Sequence, residues 1–127
     1  MTNFSQGPRA FGEQQEKVAA QYLAEQGLQL VCMNYQCKLG EIDLIMRTTR
    51  ELVFVEVRYR RSSAFGSAVE SVNYRKQRKL WKTAQCYLST LRLTNRIPCR
   101  FDILGISPGD SGQPLQFDWI QGAFELG

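Results

Sequence analysis

The stretch Gly40-Glu41-Ile42-Asp43-Leu44-Ile45-Met46, followed after five residues by Leu52-Val53-Phe54-Val55-Glu56-Val57-Arg58-Tyr59, decides the fold. Both runs are β-prone, and the polar turn Arg47 to Glu51 between them makes the pair a hairpin. Each run carries an acid that a buried strand does not need: Asp43 between Ile42 and Leu44, and Glu56 between Val55 and Val57. Side chains alternate across a strand, so Glu56 and Arg58 share a face with Leu52 and Phe54. For Asp43 to join them, facing residues in the hairpin must have numbers summing to an odd value, and 99 is the expected sum.

Outward from the hairpin, Phe11, Val18, Ala19, Tyr22 and Leu23 recur at helical steps, predicting a helix from Phe11 to Gln26 that Gly27 stops. Leu28 to Met33 reads as a strand, and Asn34 to Leu39 as a polar connection. Beyond the hairpin, residues 60–68 have loop composition and read as a mobile connection. A second helix is expected from Asn73 to Leu91, with Leu80, Ala84, Tyr87, Leu88 and Leu91 as its apolar stripe. Strands follow at Arg100 to Ile106 and Leu115 to Ile120. Helix, three strands, helix and two strands predict an α/β fold, a mixed central sheet flanked by helices. The 127 residues fit one domain, with 1–10 as a flexible lead-in.

Composition narrows the chemistry. The chain has no histidine, which excludes an imidazole base and the triads built on one. Cys32, Cys37, Cys86 and Cys99 match no zinc-ribbon spacing, so reduced, partly buried thiols are expected. The apolar runs are too short for a membrane span, and Met1 to Pro8 lacks the apolar core of a secretory signal. The expected location is the cytoplasm. Charge is polarised: Val57 to Phe101 holds eleven basic residues and one acid, Glu70, whereas the rest holds five basic residues against eleven acids. Such a field attracts polyanions, nucleic acid above all, although a solvated basic helix without a ligand gives the same pattern.

A buried carboxylate is costly unless it is paired, hydrogen-bonded or bound to a metal. Asp43 and Glu56 on one face would repel, and a divalent cation relieves that. Magnesium suits one or two carboxylates plus water and phosphate oxygens. The competing reading is a structural Glu56–Arg58 pair at a sheet edge, with Asp43 merely exposed. Glu41 is a bystander or an outer group on either reading.

Gly12-x-x-x-Glu16-x-x-Ala19 with Tyr22-Leu23, Gly40-Glu41-Ile42-Asp43-Leu44-Ile45 and Val53-Phe54-Val55-Glu56-Val57-Arg58-Tyr59-Arg60 resemble the YraN-like family. Lys76-Gln77-x-Lys79-Leu80 and Arg100-Phe101-Asp102 extend the resemblance, which covers roughly Gly12 to Leu104. That family comprises bacterial proteins similar to the restriction-endonuclease-like superfamily, which includes archaeal Holliday-junction resolvases. The resemblance implies an αβββαβ core. It implies Asp43 and Glu56 as ligands of Mg²⁺ or Mn²⁺, and Glu16 as a helix acid near the metal. Position 58 would be the superfamily's catalytic lysine. Here it is Arg58, which stays protonated and cannot act as a general base, though it can hold a phosphate.

The expected activity is a metal-dependent endonuclease acting on structured or branched nucleic acid, DNA ahead of RNA. Glu16, Asp43, Glu56 and Arg58 form its catalytic set, and Arg60, Arg61, Lys76, Gln77 and Lys79 hold the polymer. Junction resolvases act as dimers, so a homodimer belongs to the same expectation. The alternatives are a binding module with a degenerate site, and a protein-interaction module that docks through its basic helix.

Overall fold

A computed structural model describes residues 8–61, 68–109 and 114–125. Helix α1 spans Pro8–Glu25, strands β1, β2 and β3 span Gln29–Cys37, Gly40–Arg47 and Leu52–Tyr59, and α2 spans Tyr74–Thr90. Strands β4 (Cys99–Ser107) and β5 (Gln116–Phe124) complete the order, and a short 3₁₀ turn, Val69–Ser71, precedes α2. The expected αβββαβ order is therefore present, extended by β5 and compatible with a restriction-endonuclease-like core. The five strands form one mixed sheet in the order β1-β2-β3-β4-β5, antiparallel except for the parallel β3–β4 pair.

Helix α1 starts at Pro8, so the last residues of the expected lead-in are helical. Proline suits a first turn, whose amide has no partner inside the helix. The helix ends on a Schellman pair, Leu28 N–H to Leu23 O at 3.0 Å and Gly27 N–H to Ala24 O at 3.0 Å, with Gly27 at φ +102°. Asn73 caps α2 by accepting the Lys76 amide at 2.9 Å. Most of the expected loop at 60–68 lies outside the described residues.

The sheet buries both faces. Ile42, Ile45, Leu52, Phe54 and Ile103 pack with Leu80, Ala84, Tyr87 and Leu88 of α2. Leu44, Met46, Val53, Val55 and Leu104 pack with Ala19, Ala20 and Leu23 of α1. Leu91, expected on the buried stripe of α2, is instead 49% exposed just past the helix end. The β1–β2 turn lies so close to α2 that a β-carbon on Gly40 would come within 2.8 Å of Thr83 Oγ1.

Two strands run several residues further than their sequence predicts. Strand β1 continues through the expected connection to Cys37, and β5 continues to Phe124. Buried Asp102 supports β5 by accepting from Trp119 Nε1 at 2.8 Å and the Gly122 amide at 2.9 Å, while Arg100 pairs with it. Asp102 is thus a structural acid. The four cysteines are free thiols. Among the described residues, no helix is long and apolar enough to cross a membrane.

Candidate active site

The β2–β3 ladder runs from Arg47↔Leu52 to Leu44↔Val55 with the expected sum of 99, and ends one pair short of Asp43 and Glu56. There a side chain replaces the backbone ladder: Asp43 Oδ2 accepts the Val57 amide at 2.8 Å. Alternation also breaks at this level. Ile42 and Ile45 face α2 whereas Leu44 and Met46 face α1, so one irregularity falls at Asp43. Strand β1 has its own beside it, at Asn34, with φ +52°. The sheet is locally remade where the acid sits, a common use of such irregularities.

Glu56 stays on the α2 face, as the alternation of β3 predicts, and is only 4% exposed. Its Oε2 lies 3.0 Å from Arg58 Nη2 and 3.4 Å from Lys76 Nζ on α2. The pairing half of the competing reading is therefore real. Its other half is not: β3 is the central strand, and Asp43 is half-buried and hydrogen-bonded.

Glu16 reaches the same place from α1. Its carboxyl is raised to about 7, first by burial and then by the neighbouring Asp43, to which it hydrogen-bonds. Glu56 is pushed up to about 8 by burial and by Asp43, although Arg58 and Lys76 pull the other way. Burial and the neighbouring Asp43 thus raise the proton affinity of Glu16 and Glu56, and the two cations do not offset this at Glu56.

The acids line an open cleft of about 580 Å³, together with Arg58, Lys76 and, at its periphery, Glu13 and Glu41. Gln15, Asn34 and Gln36 add amides to its walls, and Phe11, Gly12 and Tyr59 an aromatic corner. Gln15 Oε1 and Arg58 Nε are buried without a hydrogen-bond partner, whereas the Arg58 side chain as a whole stays partly exposed to the cleft.

Among the described residues, no group of three or more His, Cys, Asp or Glu side chains is arranged to hold a metal ion. Asp43 and Glu56 do not need one. Two carboxylates beside open space fit magnesium, which keeps waters and takes substrate oxygens in preference to an all-protein cage.

The structure therefore brings Glu16, Asp43, Glu56 and Arg58 together. It also moves Lys76 from the expected polymer-binding surface to the cleft. Gln77 is elsewhere, its side-chain Nε2 donating to Val72 O at 3.0 Å. Lys79 is exposed and passes beside Gly40, and Arg61 is exposed past the end of β3. Arg60 continues β3 by donating its amide to Ile106 O at 2.7 Å. The residues missed in sequence include Phe11, Gly12, Gln15, Asn34, Gln36 and Tyr59. A signal existed for two of them, because Phe11 and Gln15 are one helical turn apart on the side of α1 that carries Glu16.

Residues 15–106 match the family described as "Uncharacterised protein family UPF0102". A UPF0102 protein of Saccharophagus degradans is 49% identical over 115 residues, covering 91% of this chain and 92% of the relative. A UPF0102 protein of Vibrio parahaemolyticus is 49% identical over 119 residues, covering 94% and 95%. One from Pseudomonas syringae pv. syringae is 46% identical over 114 residues, covering 90% and 92%.

Proposed function

The chain belongs to the uncharacterised protein family UPF0102, and within it we propose a metal-dependent phosphodiesterase that acts on structured or branched nucleic acid, DNA ahead of RNA. The observation that carries this reading is the meeting of Asp43, Glu56 and Glu16 with Arg58 and Lys76 in one open cleft. A purely structural network would be expected to neutralise its acids, and this one leaves two of them with raised proton affinity.

The roles follow from the chemistry. Hydrolysis of a phosphodiester forms a bond from water oxygen to phosphorus and breaks the bond to one bridging oxygen, which leaves with a proton. Asp43 and Glu56 would hold the divalent ion, whose contribution when bound is to polarise a phosphoryl oxygen and acidify coordinated water. Arg58 and Lys76 supply positive charge where the phosphate gains negative charge. Glu16, with its carboxyl near 7, can exchange a proton at neutral pH, a duty that Arg58 cannot take. Arg60, Arg61 and Lys79 extend a basic surface for the polymer backbone.

The second reading, a binding module without turnover, draws on Arg58 at the lysine position and on the two cations already held by Glu56. Incubation with branched and linear DNA in Mg²⁺ or Mn²⁺, beside a Glu56→Ala control, separates the two. Metal-dependent cleavage that the control lacks supports the enzyme. Binding without cleavage under all of these conditions leaves the module.

A further inference from the structure

The N-terminal half of α1 gives the cleft more than Glu16. Phe11 lines the same cleft and is 41% exposed, so it stands at the open rim. Its ring is held in place: its centroid lies 5.1 Å from that of Tyr59, with the planes at 89°. An edge-to-face pair fixes both rings while leaving ring surface available.

The next residue, Gly12, also lines the cleft, and a β-carbon built there meets no heavy atom within 4 Å. Its backbone is helical, so neither conformation nor close packing calls for glycine. Glycine inside a helix is less favourable than alanine. Next to Phe11 in the chain, and on the same cleft, α1 thus carries no side chain and leaves open space, at the expense of helix stability. Arg58, whose side chain is partly exposed, lies in the same cleft.

A flat apolar ring, free space beside it and a nearby cation match a ligand that joins a π surface to a phosphate. In a continuous duplex each base face is covered by its neighbours, so only an unstacked base can lie on such a ring. We propose that Phe11, braced by Tyr59 and flanked by Gly12, is a stacking platform for an unpaired base. The cleft then selects nucleic acid with single-stranded segments over continuous duplex. This assignment rests on the nucleic-acid reading above and narrows its substrate.

The test uses oligonucleotides with 2-aminopurine in a single-stranded overhang, and blunt duplexes of equal length, titrated in EDTA so that no cleavage intervenes. The parent should quench the overhang fluorophore and prefer the overhang to the duplex by about tenfold or more. Phe11→Tyr should retain both properties. Phe11→Ala should lose the quench and about tenfold in overhang affinity, with duplex affinity unchanged. Gly12→Ala should melt no lower than the parent yet bind the overhang more weakly. If folded Phe11→Ala and Gly12→Ala bind both probes as the parent does, the platform is overturned and the nucleic-acid reading stands. If the parent binds neither probe in a salt-dependent way, both fall.

Discussion

Asp43 Oδ2 accepts the Val57 amide at 2.8 Å, beyond the last backbone pair of β2 and β3. The bond gives Asp43 two separable duties, one to the sheet and one to the cleft. Asparagine can perform the first, because it keeps an acceptor oxygen, but it lacks the charge needed to hold a divalent ion. Asp43→Asn should therefore melt at or above the parent temperature, since it also removes a repulsive neighbour of Glu16 and Glu56. Asp43→Ala should lose about 1 kcal/mol through the orphaned amide. On the proposed function, both should abolish metal-dependent cleavage. Thermal melts beside nuclease assays check this, and full activity in Asp43→Asn would remove Asp43 from the metal site.

Arg58 and Lys76 share one carboxylate oxygen, so neither alone decides whether Glu56 is neutralised. Arg58→Ala leaves Lys76 in place and should cost about 1 kcal/mol or less, well short of a stranded buried charge. Lys76→Ala should behave alike. The double variant should be less stable than the sum of the two by about 0.5–3 kcal/mol, the range for residues within one network. Arg58→Lys should keep or raise any cleavage, and Arg58→Ala should lose it while remaining folded. A double-mutant cycle by chemical denaturation gives the coupling. Strict additivity would mean that the two cations do not share Glu56.

How far the sequence could be read depended on which face of each element meets the core. Strand β3 was legible end to end because its apolar run, Leu52 to Val57, is interrupted only by Glu56. The hairpin register followed from that acid and Asp43, and Asn73 marked the start of α2. Strand β1 was cut short because Asn34 and Gln36 line the cleft and are polar for that reason, although Tyr35 and Cys32 pack toward α2. Strand β5 was cut short at Gln121-Gly122, where a positive φ and an edge position erase the alternation. Within the site, the two strand acids were visible as misfits in apolar runs. Glu16 was indicated only by resemblance, since a helix acid is ordinary. Lys76 was read as surface, because no linear pattern shows that the first turn of α2 lies against Glu56.

That placement separates two lysines that sequence treats alike. Lys79→Glu alters exposed charge and should weaken DNA binding uniformly across sequences, reducing the salt slope by about 1. Lys76→Glu puts a fourth carboxyl among Glu16, Asp43 and Glu56. It should lower thermal stability as well as affinity, and divalent ion should restore part of the stability. Salt-dependent binding isotherms and melts on both variants check the contrast. Equal behaviour in both assays would return Lys76 to the general basic surface.

The crowded carboxyls also set a pH dependence, and its sign follows from the raised values. Glu16 near 7 and Glu56 near 8 bind protons more tightly in the folded chain than an ordinary carboxyl does near 4.5. Their contribution to stability is fully present below about pH 4.5 and is lost as pH rises through about 7 and about 8. Each tenfold change in proton affinity corresponds to about 1.4 kcal/mol, with Glu16 counting for less because it is partly solvated. The metal-free protein should therefore melt lower at about pH 8.5 than at about pH 6. A divalent ion binds the ionised carboxylates, so the rise in Tm on adding millimolar Mg²⁺ or Mn²⁺ should grow over the same interval. Glu56→Gln should flatten the pH dependence and remove most of the metal-induced rise. Melting curves on parent and variant, with EDTA or with metal, measure both effects. A parent whose Tm does not respond to either ion at the higher pH, while the pH slope persists, would leave the carboxyls as a buried proton-binding cluster and remove the metal from the mechanism.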